Sequence, residues 1–218
     1  MFNQDTIIAK ATGVGSSAIC LFRLSGINSI EMVSQCFHTK SKKKLINQKS
    51  HTIHLGTLQY EGVVLDEVLV SVFRAPHSYT GENVVEISCH GSNYIQEEVL
   101  RLFISKGAQP AKPGEFTLRA FLNKKMDLSQ AEAVADLIVS ESEAAHQVAM
   151  NQMRGGYTTE IAQLRQKLLD FASLITLELD FAEEDVDFAD RTALTKLLQL
   201  LLSKIRSIFC CCSLCSSL

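Results

Sequence analysis

Nowhere in these 218 residues is there a Gly-x4-Gly-Lys-Ser/Thr segment, so nothing in them can wrap nucleotide phosphates in backbone amides or place a hydroxyl on magnesium. A basic excess is missing too. The net charge of -3 and a pI near 6.1 give no global electrostatic case for nucleic-acid binding, and any RNA contact must be local. There is no apolar run of roughly 20 residues and no charged-then-apolar leader. These absences speak against membrane spanning and secretion and predict a cytoplasmic protein.

Paired cysteines at zinc spacing are absent as well, although the chain has 7 cysteines. Cys20, Cys36 and Cys89 are scattered among apolar residues, the pattern of reduced, buried thiols. Cys210, Cys211, Cys212 and Cys215 crowd the tail, with no histidine nearby and no paired spacing, so no metal site is expected. Cys215-Ser216-Ser217-Leu218 has serines where a prenylation box needs aliphatic residues, and lipidation is not expected. Lys40, Lys42, Lys43, Lys44 and Lys49 form the one basic cluster and read as a solvated loop.

What is present reads as an α+β domain followed by helices, and the length suits one or two domains with a sizeable core. The spacing predicts strands at Ala18 to Leu24, Val63 to Phe73 (interrupted by Asp66 and Glu67) and Val84 to Ser88. It predicts helices at Asn28 to Phe37 and Tyr94 to Ser105. Pro113 and Gly114 break the chain, and Phe116 to Asn123 then suits a short helix. Ser129 and Glu132 read as a capping box opening one helix through Gln152, which Gly155-Gly156 ends. A further helix starts at Thr158, with Ile161, Leu164, Leu168, Phe171 or Ala172, Ile175 and Leu179 in one apolar stripe. The acidic residues Glu183, Glu184, Asp185, Asp187 and Asp190 read as a solvated turn before a helix from Thr192.

Three apparent motifs fail on context. Gly13-Val14-Gly15-Ser16-Ser17-Ala18 fits a loose dinucleotide pattern but precedes its strand, so it reads as a loop. Asn123-Lys124-Lys125-Met126-Asp127 is one residue too long for the guanine-reading Asn-Lys-x-Asp. Cys89 and His90 are neighbours on a strand and point to opposite faces, which excludes a mutual nucleophile and base pair. Arg23, Glu86 and Lys125 remain as charged residues beside apolar elements, where charge needs a partner.

Several segments, taken in order, carry a family resemblance. They are Asp5-Thr6-Ile7, Arg23-Leu24-Ser25-Gly26, Ser78-Tyr79-Thr80-Gly81-Glu82-Asn83-Val84-Val85-Glu86-Ile87 running into Ser88-Cys89-His90-Gly91, Pro113 to Ala133, and Asp180 to Phe188. Together they resemble the amino-terminal region of the MnmE (TrmE) family of tRNA modification GTPases, over nearly the whole chain up to about residue 205. At Gly13 to Ser17 the chain departs from the family, whose members usually carry prolines and an arginine there.

The resemblance implies a folate-binding domain similar to the glycine-cleavage aminomethyltransferases, with Arg23, Glu86 and Lys125 at positions that bind a tetrahydrofolate. A carboxylate can hold the donor nitrogens of a pterin, while arginine and lysine can pair with the glutamate tail; which residue does which stays open. It also implies 5-formyltetrahydrofolate or methylenetetrahydrofolate as cofactor and homodimerisation through the amino-terminal domain. A FAD-dependent partner (MnmG, also called GidA) and tRNA are implied in the assembled complex. The family's reaction adds an aminomethyl or carboxymethylaminomethyl group to the wobble uridine. Family members carry a G domain inserted in the helical domain, and the chain reads as a fragment that keeps folate binding and dimerisation but not GTP hydrolysis. GTP, potassium and magnesium are expected only in the full-length family.

The domains expected are 1–118 for folate binding and dimerisation, 119–206 for a partial helical domain, and 207–218 for an atypical cysteine-rich tail. A frameshift or premature stop near Ser207 would give such a tail and leave the stripe of Ile161 to Leu179 partly uncovered, predicting an aggregation-prone or obligately dimeric product. Two further readings stand beside this one. One is a non-catalytic dimerisation or partner-binding module without folate use. The other, a free-standing folate-dependent aminomethyltransferase, would not need the long helical segment after Ser129.

Overall fold

The computed structural model describes residues 5–39, 44–180, 192, 195–203 and 206. The chain divides into two compact units, Met1–Val134 and Ala135–Leu218. The boundary expected at 118/119 falls inside a helix of the first unit.

Alternating apolar residues build the first unit. Its strands are β1 (Ile7–Lys10), β2 (Ser17–Ser25), β3 (Phe37–His38), β4 (Thr52–Tyr60), β5 (Val63–Phe73), β6 (Val84–Gly91) and β7 (Gln109–Pro110). They form one sheet in the order β3-β4-β5-β6-β2-β1-β7. Neighbours pair antiparallel, apart from the parallel β1 and β7. Because strand residues alternate faces, Cys20, Phe22 and Leu24 of β2 point the same way as Val68, Val70 and Val72 of β5 and Val85, Ile87 and Cys89 of β6. All are buried. Helices α1 (Ser29–Ser34) and α2 (Asn93–Ser105) close that face with Ile30, Met32, Val33, Val99, Leu102 and Phe103. Each such large side chain contributes about 1.5–3 kcal/mol by leaving water.

The opposite face is more open, and it carries Arg23 and Glu86. Ile53, Leu55 and Leu69 are exposed there, with Leu55 directly opposite Leu69.

Backbone chemistry sets the turns. Glu61 and Gly62, both at positive φ, join β4 to β5 in the two-residue hairpin that such angles favour. Gly26 has φ +143°, and a Cβ there would sit 2.7 Å from the Thr6 Cα, so the approach of β1 to the end of β2 requires glycine. Ser92 caps α2 by accepting from the Ile95 amide at 3.2 Å.

Several sequence expectations shift. The helix expected from Asn28 to Phe37 is shorter, because Phe37 leaves it to pair with Leu58 in β3. Asp66 does not interrupt β5; its carboxylate accepts both the backbone amide and Nδ1 of His90, each at 2.7 Å. Strands β1, β3, β4 and β7 were not expected.

After Gly114, α3 spans Glu115–Leu122 and α4 spans Leu128–Val139. The capping box forms two residues earlier than Ser129 and Glu132. The Asp127 carboxylate accepts from the Gln130 amide at 2.8 Å, and Gln130 Oε1 accepts from the Asp127 amide at 2.9 Å, so each satisfies the other's orphan donor.

The single helix expected from Ser129 through Gln152 is two, α4 being the first. A new helix, α5 (Glu143–Met153), starts where Ser142 Oγ accepts from the Ala145 amide at 3.2 Å. Helix α6 runs Gly156–Asp180 and packs on α5. Ile161 and Leu168 of the apolar stripe are exposed on it, while Leu164, Phe171 and Ile175 are half-buried. Residues 195–203 are helical. Lys40, Lys42 and Lys43, the acidic run from Glu183 to Asp190 and the cysteine-rich tail lie outside the described residues.

Candidate functional site

Register brings the first two candidates together. Arg23 on β2 and Glu86 on β6 are direct cross-strand partners, and Arg23 donates from Nε at 2.8 Å and from Nη2 at 2.6 Å to the same oxygen, Glu86 Oε1. About a quarter of each side chain is exposed: 27% for Arg23 and 22% for Glu86. A charge-assisted pair of this kind holds a defined geometry.

Two aromatic rings edge the pair. The Arg23 guanidinium carbon lies 5.4 Å from the Tyr79 ring centroid and 5.7 Å from that of Phe116, within cation–π range. Tyr79 comes from the 74–83 connection between β5 and β6, and Phe116 from the first turn of α3. Their elements are tied by a hydrogen bond between Tyr79 Oη and Thr117 Oγ1 at 3.0 Å.

Lys125 reaches the same connection at another point, donating from Nζ to the Pro76 carbonyl at 3.1 Å. Its stem runs past Gly81, where an added Cβ would meet Lys125 Cγ at 3.2 Å. Asn123 beside it donates to the Thr80 carbonyl at 2.7 Å. The structure therefore joins Arg23 and Glu86 by direct contact and brings Lys125 to the loop that carries Tyr79.

Beneath this lies a polar network that sequence reasoning did not single out. Arg119 of α3 is 8% exposed. From Nη1 it donates to the Asp5 carbonyl at 2.9 Å and to the Glu82 carboxylate at 3.2 and 3.3 Å, and from Nη2 to Glu115 Oε1 at 3.1 Å. Ser25 Oγ donates to Glu82 Oε2 at 2.7 Å and shares a 2.7 Å hydrogen bond with Thr80. Burial works to raise the Glu115 pKa, but the Lys112 amide and the bonded Arg119 charge outweigh it and hold the carboxyl below its ordinary value. A buried guanidinium needs such partners, since an unpaired one costs several kcal/mol. The network fixes α3 against the end of β2, the 74–83 loop and the start of β1, and so fixes Phe116 relative to Tyr79.

The thiols are not arranged for chemistry. Burial, with the nearby Cys20 and Asp66 adding to it, pushes Cys89 up to about 12. Burial raises Cys36 to about 11, so both stay protonated and unreactive at neutral pH. No group of three or more metal-ligating side chains is found among the described residues.

These features define an α+β sheet domain bearing a charged, aromatic-edged site on its open face, followed by a helical segment. A family model described as "GTP-binding protein TrmE N-terminus" matches residues 6–125, and one described as "MnmE helical domain" matches residues 128–211. The chain belongs to the MnmE (TrmE) family of tRNA modification GTPases. The second match runs past residue 207, into the tail expected to resemble nothing in the family.

Proteins named tRNA modification GTPase MnmE are similar to it. That of Flavobacterium psychrophilum is 60% identical over 198 residues, covering 91% of this chain and 43% of the relative. That of Christiangramia forsetii is 59% identical over 205 residues, covering 94% and 42%. That of Porphyromonas gingivalis is 48% identical over 208 residues, covering 95% and 44%. The chain thus spans less than half the length of these relatives. Among the described residues no helix is long and apolar enough to cross a membrane.

Proposed function

We propose that the first unit of this chain binds a reduced folate, 5-formyltetrahydrofolate or methylenetetrahydrofolate, and serves in tRNA wobble-uridine modification. The observation that carries the reading is the Arg23–Glu86 pair beside Tyr79 and Phe116. A carboxylate at the edge of aromatic rings suits a flat heterocycle with N–H donors, and the cations of Arg23 and Lys125 suit an anionic tail. The folate, when bound, supplies a one-carbon unit. The chain's own residues hold and orient it: Glu86 accepts donor nitrogens, Tyr79 and Phe116 cover flat surface, and the buried Arg119 network keeps the two rings in place. A domain like that of the glycine-cleavage aminomethyltransferases, a tRNA substrate, the FAD-dependent MnmG partner and a cytoplasmic location belong to the same reading.

Homodimerisation through this unit is part of the proposal. Ile53, Leu55 and Leu69 leave apolar area open on the outer sheet face, area that a second copy could cover. Sedimentation velocity at micromolar concentration tests it, and a strictly monomeric species overturns it.

Isothermal titration with 5-formyltetrahydrofolate tests the cofactor. Binding by the wild-type chain, weakened about tenfold or more in Glu86→Gln for a lost charge-assisted hydrogen bond, is the expected result. No binding, or binding indifferent to Glu86→Gln and Lys125→Ala, removes the folate reading and leaves a partner-binding module.

A further inference from the structure

We propose that Arg23 is the internal occupant of the place on Glu86 that a ligand's planar amidine edge takes, so that binding exchanges one guanidine-like group for another. This rests on the folate reading above. Arginine's guanidinium is a flat N–C–N unit with forked donors that also stacks on aromatic faces. The 2-amino-4-oxo ring of a pterin presents the same flat N–C(NH2)–N edge to a carboxylate and the same kind of face to an aromatic ring.

The geometry sets the two in competition wherever the ligand's edge engages both carboxylate oxygens. Both Arg23 donors converge on one oxygen, Glu86 Oε1, at 2.6 and 2.8 Å, and an oxygen with two N–H donors has no lone pair for a third. The Arg23 guanidinium also takes up positions near Tyr79 and Phe116 that a stacked heterocycle would use. With about a quarter of the pair exposed, the contact is open to competition from solution. A heterocycle whose N–C(NH2)–N edge bonds in-plane to both Glu86 oxygens must take Oε1 and displaces at least one Arg23 donor. The released cation is then free to pair with an anionic tail on the same ligand. Arg23 therefore has opposite effects on the two halves of the ligand, opposing the ring and helping the tail.

The test is titration of the full chain with 5-formyltetrahydrofolate and with the tail-less 6-methyl-5,6,7,8-tetrahydropterin. Arg23→Met should tighten the tetrahydropterin about three- to tenfold, the scale of a partly exposed ion pair no longer opposing the ligand, and should weaken the tail-bearing folate. Arg23→Lys keeps a charge beside Glu86 but loses the planar fork; it should shift both ligands in the same directions by less, and it decides the matter should the Met variant not fold. Unchanged or weaker tetrahydropterin binding in the folded variants, with folate still bound by wild type, overturns the exchange alone. A wild-type chain that binds neither ligand removes the folate reading and the exchange with it.

Discussion

Arg119 of α3 and Glu82 of the β5–β6 connection meet 3.2 Å apart, and this contact ties the helix that supplies Phe116 to the loop that supplies Tyr79. Arg119 is nearly buried, and the Glu82 carboxylate also accepts from Ser25 Oγ. Removing the cation takes the shared partner from two carboxylates, those of Glu82 and Glu115.

Arg119→Met is therefore expected to lower unfolding stability by about 3 kcal/mol, the scale of breaking a buried ion pair on one side. Urea denaturation followed by circular dichroism measures it. A loss below about 1 kcal/mol, the range of surface pairs, would mean that the network does not hold α3 in place.

Glu115 supplies a pH dependence. Its folded carboxyl titrates below the ordinary value of 4.5, so the ionised form is favoured by folding. The associated stability is fully present above the unfolded pKa and disappears as pH falls below 4.5 through the folded value. Glu115→Gln should be less stable than wild type at pH 7, and the gap should narrow as pH drops toward 3. Parallel stability curves for the two proteins would contradict the assignment.

Lys124 adopts φ +58°, a left-handed conformation that disfavours a side chain. Glycine there relieves the steric cost but adds freedom to the unfolded chain. The net expectation for Lys124→Gly is a gain of about 0.5–1 kcal/mol, read as a higher urea midpoint at unchanged slope. A loss of stability would show that the lysine side chain contributes contacts that outweigh the backbone cost.

The three buried thiols should resist alkylation. With Cys36 raised to about 11 and Cys89 to about 12, iodoacetamide at pH 7.5 should leave the peptides of Cys20, Cys36 and Cys89 unmodified in the native chain and label all three in urea. Peptide mass spectrometry separates them from the cysteines of the tail. Rapid native labelling of Cys89 would show that the inner sheet face opens.

Much of the first unit was legible because its strands alternate cleanly. Val63–Phe73 can be read from sequence to the residue, and Asn93–Ser105 to within one. Strand β4 was missed because His54 and Gly56 stand at inward positions where an apolar residue is expected, and the core accepts them: Gly56 faces the Phe37 ring, against which any Cβ would collide. The break at Ser140 to Ser142 was hidden by continuous helix formers on either side, and only the Ser142 cap explains it.

The site was half legible. Arg23, Glu86 and Lys125 came from resemblance, and that Arg23 and Glu86 are cross-strand neighbours is visible only in the register. The pairing of Arg119 with Glu82, 37 positions apart, leaves no local pattern. The one available signal was that an arginine amid the apolar residues of a short helix requires a partner. Tyr79 and Phe116 lay inside quoted motifs, yet only folding brings their rings to one guanidinium.

The chain has no tryptophan and 4 tyrosines, so tyrosine dominates its ultraviolet emission. One of those tyrosines, Tyr79, has its ring beside the Arg23 guanidinium and its hydroxyl bonded to Thr117. Any event that moves the guanidinium changes the electric field on that ring, and the unaltered protein reports on its own site without an attached dye. The difference between wild type and Tyr79→Phe isolates that signal from the other three tyrosines.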